Sequence, residues 1–381
     1  SVCPYCGVGC LLTYNVKDNK ILYTQGRDGP SNLSRLCVKG RYGFDYIHNE
    51  QRLTKPLIRK EGVPKDINIE DFDFENINDI FEETTWENAL NITIKKLKLI
   101  KESNSESALA GFGCAKGSNE EAYLFQKLIR TGFATNNVDH CTRLCHASSV
   151  VALLEMIGSG AVSNQVADVT EADVIVVIGS NPTVNHPVAA TFIKNAAKDG
   201  KKLIVIDPKE TQIARHADYF LQFKPDTDVA LLNAIMKSII DQGLVNDEFI
   251  TKRTKDFKEL KKHLDDFTPE KMSKICGIDK NVIDEVAKIY AQSNASIIFW
   301  GMGVSQHIHG TDNARALISL ALMTGQIGRP GTGLHPLRGQ NNVQGASDAG
   351  LIPMMYPDYQ LVEKNNNKDF FEKFWNTSLD E

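Results

Sequence analysis

Residues 173–179, Asp173-Val-Ile-Val-Val-Ile-Gly179, form an unbroken apolar run bounded by an acid and a glycine. Such a run is typical of a strand buried on both faces of a parallel sheet. Similar strands are predicted at Lys202-Leu-Ile-Val-Ile-Asp207 and Ala295-Ser-Ile-Ile-Phe-Trp-Gly301, with helical patterns over 187–198 and 228–241. Consecutive strand–helix–strand units with Gly or Asp at the strand ends predict a doubly wound, nucleotide-binding α/β sheet.

Two loops at the ends of these strands are candidates for binding a phosphorylated ligand. The loop Gly179-Ser-Asn-Pro-Thr-Val-Asn-His186 precedes a predicted helix at Pro187, whose free N–H groups could bind phosphate. Asp207-Pro208 ends the next strand, where a carboxylate can accept hydrogen bonds from a ribose or a guanine edge. Because the fingerprint G-x-G-x-x-G is absent here, ordinary nicotinamide binding is disfavoured. The loops favour a purine nucleotide.

A cysteine motif opens the chain, in Ser1-Val-Cys-Pro-Tyr-Cys-Gly-Val-Gly-Cys10. Cys3, Cys6 and Cys10 fall within eight residues, and Cys37 follows 27 positions later, so four thiolates can enclose one centre. This arrangement suits a [4Fe–4S] cluster. Zinc is the alternative, although the second C-x2-C pair of a typical zinc site is absent. Eight cysteines in 381 residues are too sparse to indicate a disulfide framework.

The remaining N-terminal sequence predicts short elements. A hairpin is predicted over residues 11–16 and 20–24, and the acidic residues 60–85 are predicted to form a solvated surface insertion. A helix capped by Thr85, a strand over 108–113 and a helix over 119–130 continue the α/β alternation.

The overall composition is that of a globular protein, with 42% hydrophobic residues, 24% charged residues and a net charge of -5. This balance favours neither nucleic acid nor an anionic membrane surface as a partner. No stretch reaches the roughly 18 apolar residues that a membrane span needs. We therefore expect no nucleic-acid partner, no direct membrane insertion and a cytoplasmic location.

A further candidate centre is His140-Cys-Thr-Arg-Leu-Cys-His-Ala-Ser-Ser149, in which Cys145 and His146 are adjacent. A thiolate donor beside a titratable imidazole could provide a metal ligand and a proton acceptor for one substrate. By themselves the two residues do not establish catalysis, because buried cysteines are commonly inert and most histidines are structural.

Five separated motifs closely resemble those of one family, the catalytic subunits of molybdenum- or tungsten-dependent formate dehydrogenases. This family belongs to the bis(molybdopterin guanine dinucleotide) oxidoreductases, and the resemblance covers essentially the whole chain. The motifs are Cys3-Pro-Tyr-Cys-Gly-Val-Gly-Cys10, Cys37-Val-Lys-Gly-Arg41, Cys145-His146, Trp300-Gly-Met-Gly-Val-Ser-Gln306 and Leu337-Arg-Gly-Gln-Asn-Asn-Val-Gln-Gly-Ala346.

The resemblance implies roles for individual residues. Cys145 would bind molybdenum or tungsten, His146 would be the adjacent active-site histidine, and Arg338 would face the substrate. The residues implied to hold the [4Fe–4S] cluster are Cys3, Cys6, Cys10 and Cys37, with Lys39 between cluster and pterin. The residues expected to contact the pterin guanine dinucleotide are Gly179, Asn181, Asn185, His186, Asp207, Pro208, Gly301, Met302, Gly303, Gln306 and Gln340.

The implied reaction is the reversible two-electron oxidation of formate to carbon dioxide. Arg338 would pair with the formate carboxylate, His146 could take the proton, and electrons would leave singly through the cluster to an iron–sulfur or flavin subunit. Nitrate reductase, formylmethanofuran dehydrogenase and a metal-free electron-transfer scaffold are the alternatives. Cys145, His146 and Arg338 argue against nitrate reductase and the scaffold, whereas formylmethanofuran dehydrogenase is similar in both motifs.

The implied architecture is a small β-rich cluster domain over residues 1–57, followed by two doubly wound α/β domains. One comprises residues 58–139 plus 340–381, and the other comprises residues 140–339. Members of this family continue into a carboxy-terminal domain that closes over the cofactor. We therefore expect this chain to be a fragment of a longer protein.

Overall fold

The structure is a computed structural model that describes residues 1–65, 77–104 and 108–379. The central part of the predicted acidic insertion, residues 66–76, lies outside the described residues. The chain divides into two compact units. The first comprises Ser1–Gly43, Cys114–Ala122 and His140–Ala349, and the second comprises Phe44–Gly113, Tyr123–Asp139 and Gly350–Glu381. These units group residues by packing, and the three domains expected from the sequence remain a prediction.

Strands and helices alternate along much of the chain. The strands are β1 Leu12–Lys17, β2 Lys20–Gly26, β3 Leu57–Arg59, β4 Phe81–Glu83, β5 Gly111–Gly113, β6 Val138–His140, β7 Val174–Ile178, β8 Lys202–Ile206, β9 Tyr219–Leu221, β10 Ser296–Trp300, β11 Gly333–Pro336, β12 Met355–Tyr356 and β13 Gln360–Leu361. The helices are α1 Val38–Tyr42, α2 Ile77–Ile80, α3 Trp86–Ser103, α4 Asn119–Lys127, α5 Ala147–Ile157, α6 Pro182–Asn185, α7 Pro187–Lys198, α8 Asp228–Asp241, α9 Asp247–Arg253, α10 Phe257–His263, α11 Pro269–Cys276, α12 Lys280–Gln292, α13 Met302–Ser305, α14 Gly310–Thr324, α15 Val343–Asp348 and α16 Asn365–Trp375.

The first unit is built on a five-stranded parallel sheet with the order β11-β10-β7-β8-β9. All five residues of the central strand β7 are buried, and Ile175 lies in register with Leu203 on β8 and Ile297 on β10. The three predicted buried strands are therefore confirmed, as are the two predicted helices, which are α7 and α8. The outer strands β9 and β11 were not predicted, because they contain only three and four residues.

Alternate residues along β7 pack into two different cores. Val176 belongs to the core that includes Leu231 of α8 and Leu317 of α14. Ile175 points to the opposite face and belongs to a core that includes α7 and, from the N-terminal cysteine module, Cys3 and Cys10. Burying one large aliphatic side chain contributes roughly 1.5–3 kcal/mol, so this second face fixes the cysteine module on the sheet.

The cysteine module contains the antiparallel hairpin β1–β2, which follows Cys10 and confirms the predicted hairpin. The chain turns at Asp18 and Asn19, both with positive φ, as two-residue hairpin loops require. The hydroxyl of Thr24 on β2 donates a hydrogen bond of 3.0 Å to the carbonyl of Gly40. This bond attaches α1, which directly follows Cys37, to the hairpin.

The order of the strands places two loops side by side at the carboxyl ends of β7 and β10. The chain runs outward from β7 to β8 and β9, and then returns to β10 on the other side of β7. Such a reversal opens a crevice at the carboxyl edge of the sheet, where ligands bind. The N–H of Gly303 donates a hydrogen bond of 3.0 Å to the carbonyl of Gly179. A Cβ atom on Gly179 would lie 2.8 Å from the carbonyl carbon of Gly303, so this contact requires glycine.

In the second unit, the predicted cap of α3 is confirmed, because the hydroxyl of Thr85 accepts a 3.2 Å hydrogen bond from the N–H of Asn88. Phe371 and Trp375 of α16 pack with Tyr356 in a small aromatic core. Among the described residues, the strand pairings of this unit are all two-stranded. Across both units, the described helices include none whose length and apolar character would allow it to cross a membrane.

Candidate functional site

The four N-terminal cysteines line one pocket. Cys3, Cys6, Cys10 and Cys37 surround it together with side chains that include Leu36. In the part of the chain that the structure describes, no group of three or more His, Cys, Asp or Glu residues could hold a single metal ion. Four thiols that line one pocket suit a cubane, in which each thiolate binds a different iron. The spacing of these cysteines, without a second C-x2-C pair, favours the [4Fe–4S] cluster over zinc.

Three of these thiols have raised pKa values. The pKa of Cys10 is raised to about 12, mainly by burial and further by the charges of Cys6, Cys3 and Cys37. The pKa values of Cys3 and Cys6 are raised chiefly by burial. Burial therefore favours the protonated thiols, and a positive centre such as iron is needed to stabilise the thiolates.

A groove of about 430 Å³ begins beside Cys6 and Lys39 and follows the loops after β7 and β10. We call it the cofactor groove. Leu337 and Gly339, which follow β11, also line it. The predicted cofactor-binding residues that line the groove are Gly179, Asn181, Asn185, His186, Gly301, Met302 and Gly303.

The cofactor groove adjoins a cavity of about 260 Å³, since both are lined by Gly179, Ser180, Asn181 and Gly303. The cavity contains the predicted residues Asp207 and Pro208. It also contains residues that the sequence did not indicate, among them Thr211 and Asp228. Asp228 could not be placed from the sequence, because it follows the unpredicted strand β9 and reaches the same sheet edge only through it.

Several buried polar atoms in this cavity have no hydrogen-bond partner among the described residues. They are Oδ1 of Asn181, Oγ1 of Thr211 and Oδ1 of Asp228. Burial raises the pKa values of Asp207 and Asp228. Buried acceptors without donors are costly, so the cavity is suited to a ligand that presents N–H or O–H groups, as a guanine edge or a ribose does.

Cys145 follows a short 3-10 turn, Cys141–Leu144. Its Sγ lies 3.5 Å from Sδ of Met302, which lines the cofactor groove. Burial raises the pKa of Cys145, while a hydrogen bond to the backbone of Gly339 and the charge of Arg338 lower it. These neighbours place the thiol at the groove, where it could bind a metal.

His146 is fully buried, and both of its ring nitrogens are engaged. Nε2 lies 3.1 Å from the carbonyl of Leu337, and Nδ1 lies 3.2 Å from the hydroxyl of Ser305. Burial, followed by the charge of Arg338, lowers the pKa of His146 to about 3. The imidazole is therefore neutral and supports the segment that carries Arg338.

Arg338 lies at the carboxyl end of β11 and is buried. Its carbonyl oxygen accepts a 3.1 Å hydrogen bond from the N–H of Gly7 and lies 2.7 Å from Nε2 of His186. Its Nη2 donates a 2.7 Å hydrogen bond to the carbonyl of Gly160. Contacts from the cysteine module and the loop after β7 thus fix the arginine backbone.

Two of the predicted cofactor-binding residues, Gln306 and Gln340, line neither the cofactor groove nor the adjoining cavity. Nε2 of Gln306 donates a 2.5 Å hydrogen bond to the carbonyl of Leu144, and Oε1 of Gln340 lies 3.2 Å from Sγ of Cys141. Both glutamines contact the turn that precedes Cys145. These contacts indicate that Gln306 and Gln340 stabilise the turn.

The fold and the site define a cluster-binding α/β protein with a nucleotide-type groove at the carboxyl edge of its sheet. Residues 1–49 match the molybdopterin oxidoreductase Fe4S4 domain, and residues 52–378 match molybdopterin oxidoreductase. The chain belongs to the molybdopterin oxidoreductase family. The two matches confirm the expected fold class and the expected cofactors, a [4Fe–4S] cluster and a molybdopterin with molybdenum or tungsten.

Known proteins similar to this chain include two formate dehydrogenases. The F420-dependent formate dehydrogenase subunit alpha of Methanocaldococcus jannaschii is 43% identical over 100% of this chain and 53% of the relative. Formate dehydrogenase H of Escherichia coli is 38% identical over 98% of this chain and 51% of the relative. The chain spans about half the length of these curated relatives.

Among solved structures, acetylene hydratase from Pelobacter acetylenicus matches 85% of this chain and 43% of its own, with a TM-score of 0.72. Because the sequence identity is 22%, this similarity shows the fold alone.

Proposed function

We propose that the protein containing this chain oxidises formate reversibly to carbon dioxide. The observation that carries the proposal is the hydrogen bond between Cys145 and the backbone of Gly339, the residue that directly follows Arg338. Burial raises the pKa of the thiol, and the charge of Arg338 opposes this rise. A cationic fork next to a metal-binding thiolate can bind a small carboxylate close to the metal. The formate dehydrogenases at about 40% identity support this substrate.

Arg338 and Cys145 have separate tasks in this proposal. The guanidinium of Arg338 binds the formate carboxylate, while its Nη2 bond to Gly160 limits rotation of the side chain. Cys145 holds the molybdenum or tungsten centre, which when bound accepts the two electrons of formate. Met302 packs against the Cys145 sulfur and keeps water from that side.

His146 first acts by holding the backbone of Leu337. Proton uptake at its Nδ1 would require the hydroxyl of Ser305 to leave that nitrogen. We therefore assign His146 to orienting the arginine segment, with proton transfer as a second role that needs this displacement.

The cofactor in this proposal is bis(molybdopterin guanine dinucleotide). The residues of the cofactor groove would hold one dinucleotide arm, and Asp207 and Asp228 in the adjoining cavity would bind its guanine edge. Lys39 would lie between the two centres, and its position in the groove together with Cys6 supports this role. A cluster held by the four cysteines would carry the electrons away one at a time.

The proposed electron acceptor is an iron–sulfur or flavin subunit. The relative named F420-dependent makes F420 a specific acceptor to test. The choice between molybdenum and tungsten belongs to the same test, and a cytoplasmic location remains a prediction from the sequence.

The experiment is a formate-dependent reduction of a viologen dye and of F420 by the anaerobically purified holoenzyme, with metal analysis. We expect reduction that requires formate and is lost in Arg338→Ala and Cys145→Ala. Cys276→Ala, which removes a buried thiol in the other core, should retain the activity. Nitrate reduction without formate activity, or full formate activity in Cys145→Ala, would refute the proposal.

A further inference from the structure

His186 directly precedes α7 and is buried. Its Nε2 lies 2.7 Å from the carbonyl oxygen of Arg338. A backbone carbonyl can only accept a hydrogen bond, so Nε2 carries the proton and donates it. Burial lowers the pKa of His186, and the charge of Lys39 lowers it further, so the ring is neutral.

The tautomer decides the role of the second nitrogen. In a neutral imidazole with a protonated Nε2, the Nδ1 atom is an acceptor. Nδ1 of His186 is buried and has no hydrogen-bond partner in the described part of the chain, and the residue lines the cofactor groove. Leaving a buried acceptor without a donor destabilises the protein. A ligand bound beside His186 is therefore expected to donate a hydrogen bond to Nδ1.

We propose that His186 is a positioning residue that couples the ligand in the cofactor groove to the substrate arginine. Nδ1 accepts a hydrogen bond from an N–H or O–H group of the ligand, while Nε2 holds the carbonyl of Arg338. The part of the ligand that meets His186 is therefore a heterocycle or hydroxyl rather than a phosphate, because ionised phosphate oxygens present only acceptors. The inference rests on the proposed role of Arg338.

The coupling acts through one oxygen atom. The carbonyl of Arg338 accepts from His186 and from the N–H of Gly7, so two donors from different segments define where this backbone lies. Without the His186 donor, the carbonyl loses one of these two bonds. The guanidinium would then be less well positioned. Formate would bind more weakly, while the rate of the chemical step would stay the same.

Two amide substitutions separate the two nitrogens. In His186→Gln the amide nitrogen reaches the position of Nε2, so the donor to Arg338 is kept and the Nδ1 acceptor is lost. In His186→Asn the amide occupies the position of Nδ1, so a polar group still faces the groove and the donor to Arg338 is lost. The pair is matched in polarity, and each variant serves as the control of the other.

The holoenzyme variants are compared for formate KM, kcat, released pterin per protein and the electron paramagnetic resonance signal of the reduced cluster. For His186→Asn we expect formate KM to rise roughly tenfold, as for one lost hydrogen bond, with kcat and pterin content close to wild type. For His186→Gln we expect a nearly unchanged KM and a several-fold lower pterin content. The cluster signal should be the same in all three proteins.

The inference would be overturned if the wild type and both variants had the same formate KM. It would also be overturned if both variants lost the same amount of pterin. A changed cluster signal in His186→Asn, together with its raised formate KM, would also overturn the inference. The rise in KM would then come from a general disturbance of the structure. If the wild-type enzyme does not oxidise formate, the proposed function fails. The comparison of pterin contents would still decide whether Nδ1 binds the ligand.

Discussion

The backbone N–H of Gly7, between two cluster cysteines, donates a 3.1 Å hydrogen bond to the carbonyl oxygen of Arg338, the proposed substrate arginine. A Cβ atom at position 7 would lie 2.6 Å from Cβ of Arg338 and still closer to its carbonyl oxygen. The loop that holds the cluster and the segment that carries the arginine therefore touch through their main chains. Glycine is required at position 7 by this close approach.

Gly7→Ala should displace the Arg338 segment and raise formate KM by about tenfold or more, because the contact cannot accommodate a methyl group. The control is Gly9→Ala, whose Cβ would meet nothing within 4 Å but whose φ of +70° is unfavourable for alanine. Gly9→Ala should cost about 1 kcal/mol of stability without a comparable KM effect. Steady-state kinetics and thermal unfolding of both variants test this, and equal KM values would contradict it.

Cys10→Ser should abolish cluster binding, because Cys10 is one of four cysteines in the cluster pocket. Iron analysis and visible absorption of the anaerobic protein measure this directly. Cys114→Ser is the matched control, since Cys114 is exposed and does not line that pocket. A full complement of four irons in Cys10→Ser would show that the cluster pocket is assigned wrongly.

Asp228→Asn should stabilise the cofactor-free protein at neutral pH. Burial raises the pKa of Asp228 above its ordinary value of 3.8, Asp226 and Asp207 add to the rise, and His307 opposes it. A carboxyl with a raised folded-state pKa gives its full stability below its unfolded pKa and loses it as pH rises through the folded pKa. At pH 7 the neutral variant should be more stable by roughly 1 kcal/mol, and the difference should vanish towards pH 4.

The same Asp228→Asn variant should bind the guanine dinucleotide less well, since a carboxylate is the stronger acceptor for N–H donors. Urea unfolding across pH and pterin content after purification measure the two effects. Asp241→Asn at the other end of α8 is the control, because Asp241 forms a surface ion pair with Lys237 at 2.6 Å. An Asp228→Asn variant that is less stable at pH 7 would contradict the prediction.

Arg130→Met should destabilise the second unit by about 3 kcal/mol or more. The buried guanidinium donates to the carbonyls of Gly350, Ile352 and Met355 at 2.9, 2.7 and 2.9 Å, and substitution leaves these acceptors without it. Arg59→Met, which removes an exposed hydrogen bond to Pro64 and the contact of the guanidinium with the Phe81 ring, should cost only about 1 kcal/mol. Urea unfolding of the two variants tests the difference, and similar costs would rule out the proposed role of Arg130.

The sequence was sufficient to predict the buried strands and the cysteine pocket, because burial on both faces and ligand spacing leave local patterns. The run at 174–178 and the four cysteines lie where those patterns placed them. The bond between His186 and Arg338 could not be predicted, since it joins residues 152 positions apart through a short strand with no clear pattern. Which of these residues bind cofactor and substrate remains a prediction.

The packing of Cys3 and Cys10 in one core with Ile175 has a consequence for how the protein matures in the cell. Until iron is inserted, no cluster links the four cysteines, and the module that holds Gly7 in place lacks the stability that metal binding supplies. We therefore expect cluster assembly to precede correct shaping of the substrate pocket. Iron starvation would then yield a protein impaired in formate recognition as well as in electron transfer.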